Sequence, residues 1–152
     1  MVGRVRLAGM ASDAPAAAEL ERSSRRWLDW LAAELARRQP PAGPGVLVLW
    51  DVLEEWFASD DFAGSQVAAA VAAPPDGRGP AAHAALVRHR LAMRRLLEDL
   101  ARAAGAGEPE RVAERLHLLV EGAIVGALLD RHPGVATHAR ELTRIALRPG
   151  SW

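Results

Sequence analysis

The chain has no cysteine, and all of its basic residues are arginine. The first absence excludes disulfides and thiolate chemistry. The second, with the alanine-rich composition, reads as base-composition bias in the coding DNA. Net charge is lacking as well: 19 basic residues balance 19 acidic ones. A nucleic-acid binder usually shows a basic excess or stripe, so the balance argues against that role. No apolar run is long enough to cross a membrane, which takes about 20 residues. Met1–Ala18 has arginines but not the sustained apolar run of a secretory signal. The expectation is a cytoplasmic protein without a membrane partner. No stretch alternates at period two and no segment repeats, so no sheet and no repeat array is expected.

What is present is a large apolar fraction, 50% of 152 residues, enough for one domain with its own core. The organising stretch is His117-Leu-Leu-Val-Glu-Gly-Ala-Ile-Val-Gly-Ala-Leu-Leu129. It is apolar almost all round a helix, which predicts burial on all sides. Gly122 and Gly126, with Ala123 and Ala127 beside them, leave a small-residue strip on which another helix can lie close. Each glycine costs up to about 1 kcal/mol against alanine, and close packing is the compensation. The expected architecture is therefore an all-α bundle of about six helices around this one, in contact with a second copy of the chain.

Taken in order, residues 1–14 read as a loose tail and 15–148 as the helical domain. Pro15 suits a first helical turn, opening a helix to about Arg38 with Trp27, Leu28, Leu31 and Leu35 on its apolar face. Pro40-Pro41 ends it and Pro44 opens the next. There Val46, Leu49, Trp50, Leu53, Trp56 and Phe57 follow helical spacing, with Asp51, Glu54 and Glu55 opposite. Ser59-Asp-Asp61 is a break and Ser65–Ala72 a short helix. Pro80 starts a long amphipathic helix ending at Gly105, with Leu86, Met93, Leu97, Leu100 and Ala104 on one arc. Pro109 begins the central helix, and His132-Pro133 separates it from a last one that runs to about Leu147.

Trp50-Asp-Val-Leu-Glu-Glu-Trp-Phe57 followed by Asp61-Phe-Ala-Gly-Ser-Gln66 resembles a segment of TetR-type transcriptional regulators, in which a helix leads into a Phe-x-Gly-Cys turn. His89-x3-Met93-x2-Leu-Leu97-x2-Leu-Ala101-x3-Gly105 is similar to the long helix that follows in that family. Glu121-Gly-Ala123 resembles the acid-Gly-Ala signature of its penultimate helix, and His132-Pro133 its entry to the last. The resemblance covers Ser23 to Leu147. Ser65 stands where many relatives have cysteine. Nothing like the family's N-terminal helix-turn-helix, whose second helix enters the major groove, precedes Ser23.

The resemblance implies an effector-sensing, homodimerising regulatory domain that does not bind DNA specifically by itself. It implies a small apolar effector held by Trp50, Leu53, Trp56, Phe62, Met93, Leu97 and Glu121, between the helices 44–58, 80–104 and 109–129. It implies a two-fold contact through the last two helices, at Leu118, Gly122, Val125, Gly126, Leu129, Ala139, Leu142 and Ile145. Read without the resemblance, the aromatic residues are ordinary core. Glu121 is a carboxylate that pairs with Arg90 or Arg94 or reaches the solvent rim, and His117 a helix-edge residue facing solvent. Arg88, Arg94, Arg95 and Arg102 form a stripe that Glu98 and Asp99 interrupt, a solvated face.

No metal site and no cofactor is expected: His83 and His89 are six apart, as are His132 and His138, whereas helical ligand pairs sit three or four apart. Ser23-Ser24 lacks a nucleophile elbow, and Asp76-Gly-Arg-Gly79 lacks the lysine and preceding strand of a phosphate loop. An enzyme is not expected. The rival reading is a small helical enzyme or carrier using an apolar cavity between the helices.

Overall fold

In the computed structural model, residues 3–39, 45–131 and 134–148 are described. They form seven α-helices and no strand. These are α1 (Gly3–Arg37), α2 (Val48–Phe57), the single turn α3 (Asp60–Ala63), α4 (Gln66–Ala72), α5 (Pro80–Ala103), α6 (Pro109–Asp130) and α7 (Val135–Ala146). The fold is an all-α bundle. The helices close a ring in which α1 packs on α5, α5 on α6, α6 on α7, and α7 on α2, while α4 bridges α1 and α6. The Pro40-Pro41, Pro44 and His132-Pro133 positions lie outside the described residues.

The boundaries follow local chemistry. Pro80 and Pro109 each sit in the first turn of their helices, where the missing N–H is not needed. Gly105 ends the α5 region at φ +78°, a left-handed conformation that costs glycine little. Ser65 caps α4 by accepting from the Ala68 N–H at 3.2 Å.

The first turn of α5 is capped from elsewhere. The Asp13 carboxylate on α1 accepts from the backbone N–H groups of Ala81 and Ala82, at 2.6 and 3.2 Å. Gly79 is what lets it in, since a Cβ there would run into that carboxylate. Asp13→Ala is expected to cost about 0.5–2 kcal/mol, measurable by urea unfolding, with Asp13→Asn retaining most of the stability. Equal loss in both variants would count against a capping role.

The largest difference from expectation at the N-terminus is that α1 begins at Gly3 and carries Pro15 inside it. A helix-interior proline costs about 3 kcal/mol. The alanines around it are strong helix formers, and Asp13 ties this part of α1 to α5, which offset the cost. One continuous core joins Trp27, Leu31 and Leu35 of α1 to Leu49, Trp50 and Leu53 of α2, Met93, Leu97 and Ala101 of α5, Leu116, Val120 and Ile124 of α6, and Ala136 and Ala139 of α7. A smaller cluster of Ala17, Leu20, Ala85 and Leu86 holds the first half of α1 to α5.

Two features of α6 bear on the expected contact with a second copy. The helix is not covered on all sides within one chain: Leu118 and Leu129 are 68% and 73% exposed. Nor does the glycine strip seat a helix along its length. Gly122 faces open space, and only Gly126 has a close neighbour, Val135 of α7, whose Cγ2 lies 3.4 Å from where a Cβ would stand.

Candidate functional site

Six of the seven expected effector residues are packed in the core, Trp56 among them. Trp50, Leu53, Met93 and Leu97 are all but sealed from solvent, and Phe62 is buried against Trp56 with its ring centroid 4.8 Å away, edge to face. Trp50 also spends its polar atom internally. Its indole Nε1 donates to Thr143 Oγ1 at 2.7 Å, and that hydroxyl donates to the Ala139 carbonyl at 2.8 Å. The neighbouring Arg140–Asp51 ion pair joins the same two helices. Apolar patterning reports which side chains are inside, not whether space remains between them, and interiors are close-packed by default.

Glu121, outside the core, and Trp56, at its edge, border different openings. Glu121 stands beside a cavity of about 460 Å³ between α4, α5 and α6, with Arg78, Arg90, Gly122 and Val125. Its carboxylate accepts a two-pronged bond from Arg90, Nε at 2.6 Å and Nη2 at 2.9 Å, the pairing the sequence suggested. Trp56 borders a longer groove of about 740 Å³. One side of that groove is a face of α1 carrying Glu19, Ser23, Trp27, Trp30 and Glu34; the other is the end of α2 and the turn into α4. The sequence reading missed this groove, because the α1 face is mostly polar and reads as solvated.

His117 is buried at 3% exposure rather than facing solvent, with Nε2 3.4 Å from Glu121 Oε1. Burial lowers its pKa, and the Glu121 charge opposes that shift. His89, also missed, is buried on α5. Its Nδ1 shares a 2.8 Å hydrogen bond with Ser24 Oγ, and its ring lies 5.7 Å from that of Trp27. Burial first, then the neighbouring His117, push its pKa down to about 4. The signal was available: His89 lies between Leu86 and Met93 on the apolar arc of α5. A histidine this hard to protonate is a poor base near neutral pH, and both members of the Ser24–His89 pair are buried. The pair therefore serves packing between α1 and α5. Among the described residues no cluster of three metal-ligating side chains occurs.

The expected interface residues divide. Leu118, Gly122 and Leu129 of α6 are exposed, as are Leu142 and Ile145 of α7, and Val125 is half-buried. Ala139 is buried and Gly126 lies against Val135, so these two belong to the α6–α7 contact inside the chain. Of the arginine stripe, Arg88 pairs with Glu21, Arg94 approaches Glu114 at 4.0 Å, and Arg102 binds Glu98 and Asp99. Among the described residues no helix is long and apolar enough to cross a membrane. No family model, curated protein or solved structure matches the chain.

Proposed function

We propose that the chain is a homodimerising, effector-sensing regulatory domain of the TetR type, acting on DNA only through an associated reading module. The observation that carries this reading is the uncovered apolar face of α6 and α7. Leu118 and Leu129, at 68% and 73% exposure, are the most exposed of the large hydrophobic residues among those described, and Leu142 and Ile145, at 42% and 41%, extend the face onto α7. Gly122, with nothing within 4 Å of its added Cβ, leaves room there for a partner helix. A two-fold pairing brings the same face of each copy together and yields a four-helix contact.

Light scattering on the purified chain is expected to give a dimer at micromolar concentration. Leu118→Arg and Leu129→Arg, each placing a charge in the centre of the contact, are expected to weaken it roughly 30-fold or more without lowering the helix content. A wild-type chain that stays monomeric across that range would refute the dimer.

A further inference from the structure

The cavity between α4, α5 and α6 carries a charge that its own walls do not balance. Three ionisable side chains line it: Arg78, Arg90 and Glu121. Glu121 is spent on Arg90, which meets it through Nε and Nη2 at 2.6 and 2.9 Å. His117 stands behind that pair, Nε2 3.4 Å from Glu121 Oε1, and burial holds it towards the neutral form. Arg78 has no such partner. Its Nη2 donates to the backbone carbonyls of Ala70 and Ala73, at 2.6 and 3.1 Å. Those carbonyls close the last turn of α4 and carry only partial charge. Asp76, two residues away, and Asp13, committed to the N–H groups of Ala81 and Ala82, make no ion pair with it. A guanidinium stays charged, and this one is half-buried. The walls therefore hold one positive charge in excess.

The rest of the wall is apolar. Val71 from α4, Leu86 from α5 and Val125 from α6 border the same space. Gly122 keeps it open, with nothing within 4 Å of an added Cβ. The volume, about 460 Å³, falls within the roughly 300–1,000 Å³ typical of ligand pockets. One unbalanced cation beside an apolar wall fits a molecule with one negative charge and an apolar body. The planar fork of a guanidinium matches a carboxylate. Inorganic phosphate would leave the apolar wall unused.

We propose that this cavity binds a small organic monocarboxylate, its carboxylate on Arg78 and its apolar body against Val71, Leu86 and Val125. Gly122 and Val125 also lie on the α6 face assigned to the second copy, so in the proposed dimer the site stands at the edge of the contact. Its meaning as an effector site rests on the reading above; the binding itself does not.

The test uses the full chain with ¹³C-labelled valine and leucine methyl groups, at neutral pH. Octanoate supplies charge and chain, octanol the chain alone, and inorganic phosphate the charge alone. Octanoate is expected to shift the methyl signals of Val71 and Val125 and leave those of Leu53 and Leu97 in place. It is expected to bind roughly tenfold more tightly than either octanol or phosphate. Arg78→Gln is expected to weaken octanoate roughly tenfold and leave octanol unchanged, a charge-specific loss that a loosened turn does not give. Should Arg78→Gln fail to fold, Gly122→Glu places an acid on the same wall at an open helical position, and is expected to remove the lead of octanoate over octanol.

Absence of any Val71 or Val125 shift at millimolar octanoate would overturn the proposal. So would octanol binding as tightly as octanoate, which leaves the arginine idle, or phosphate binding as tightly, which leaves the apolar wall idle. Shifts confined to Leu53 and Leu97 would place the ligand in the core and overturn it too. A monomeric wild-type chain that shows the Val71 and Val125 shifts would refute the functional reading alone; a dimer without them would refute the cavity alone.

Discussion

Trp50→Ala is expected to destabilise the fold by about 3–5 kcal/mol, the cost of deleting a large buried aromatic. Trp50 is 1% exposed, sits in the first turn of α2, and joins that helix to α7 through Thr143. At this chain length each kcal/mol lowers the melting temperature by roughly 2–4 °C, so circular dichroism melts and urea titrations will register it clearly. Two milder variants divide the effect. Thr143→Val keeps the ring but leaves the indole N–H buried without its acceptor, at about 1–3 kcal/mol. Trp50→Phe keeps an aromatic ring and removes the donor, and Thr143 still donates to the Ala139 carbonyl, so its loss is mainly of packed volume. A Trp50→Ala protein within 1 kcal/mol of wild type would mean that the α2–α7 seam is not the structural joint described here.

Acid is expected to unfold the protein through His89. Above pH 6.5 the histidine is neutral in both the folded and the unfolded chain. Between the unfolded pKa of about 6.5 and the folded value of about 4, the unfolded chain takes up a proton that the folded one refuses. Unfolding is therefore favoured progressively as pH falls through this window, by at most roughly 3 kcal/mol. His117, lowered by burial, acts in the same direction. Glu19, Glu34 and Glu55 are held below the ordinary carboxylate value chiefly by bonds to Arg22, Arg37 and Arg38. Urea titrations at pH 7.5, 6, 5 and 4.5 measure the slope. His89→Gln, which cannot titrate, should flatten it; an unchanged slope would show that the proton goes elsewhere.

The helices were legible because their ends carry chemistry. Pro80, Pro109 and Gly105 mark boundaries that the fold keeps, and the arc of Leu86, Met93 and Leu97 does face the core. The Glu121–Arg90 pair was legible too, because a carboxylate amid Leu118–Leu129 must find a partner. What escaped were the features made by relative placement. The α1 groove exists because the end of α2 and the turn into α4 stand off from a helix face whose own sequence, Glu19, Ser23, Arg26, Trp30, Glu34 and Arg37, reads as solvated. His89 and His117 were weighed as possible ligands or edge residues, and burial between helices is what sets their chemistry. The start of α1 was misjudged because Pro15 reads locally as the first turn of a helix, a signal here overruled by a contact to a helix more than 60 residues further on.

That contact has a consequence for the order in which the molecule assembles. The partners of α1 are distant in sequence: Ser24 meets His89 across 65 residues, and Asp13 reaches Ala81 across 68. Closing a loop of that length costs roughly 4 kcal/mol of chain entropy before any contact returns it, whereas α5, α6 and α7 meet through short connections. The helix at the front of the chain thus completes its packing late: Trp27 can meet Trp56 of α2 early, but the side of α1 that faces α5 has no surface to cover it until α5 is formed.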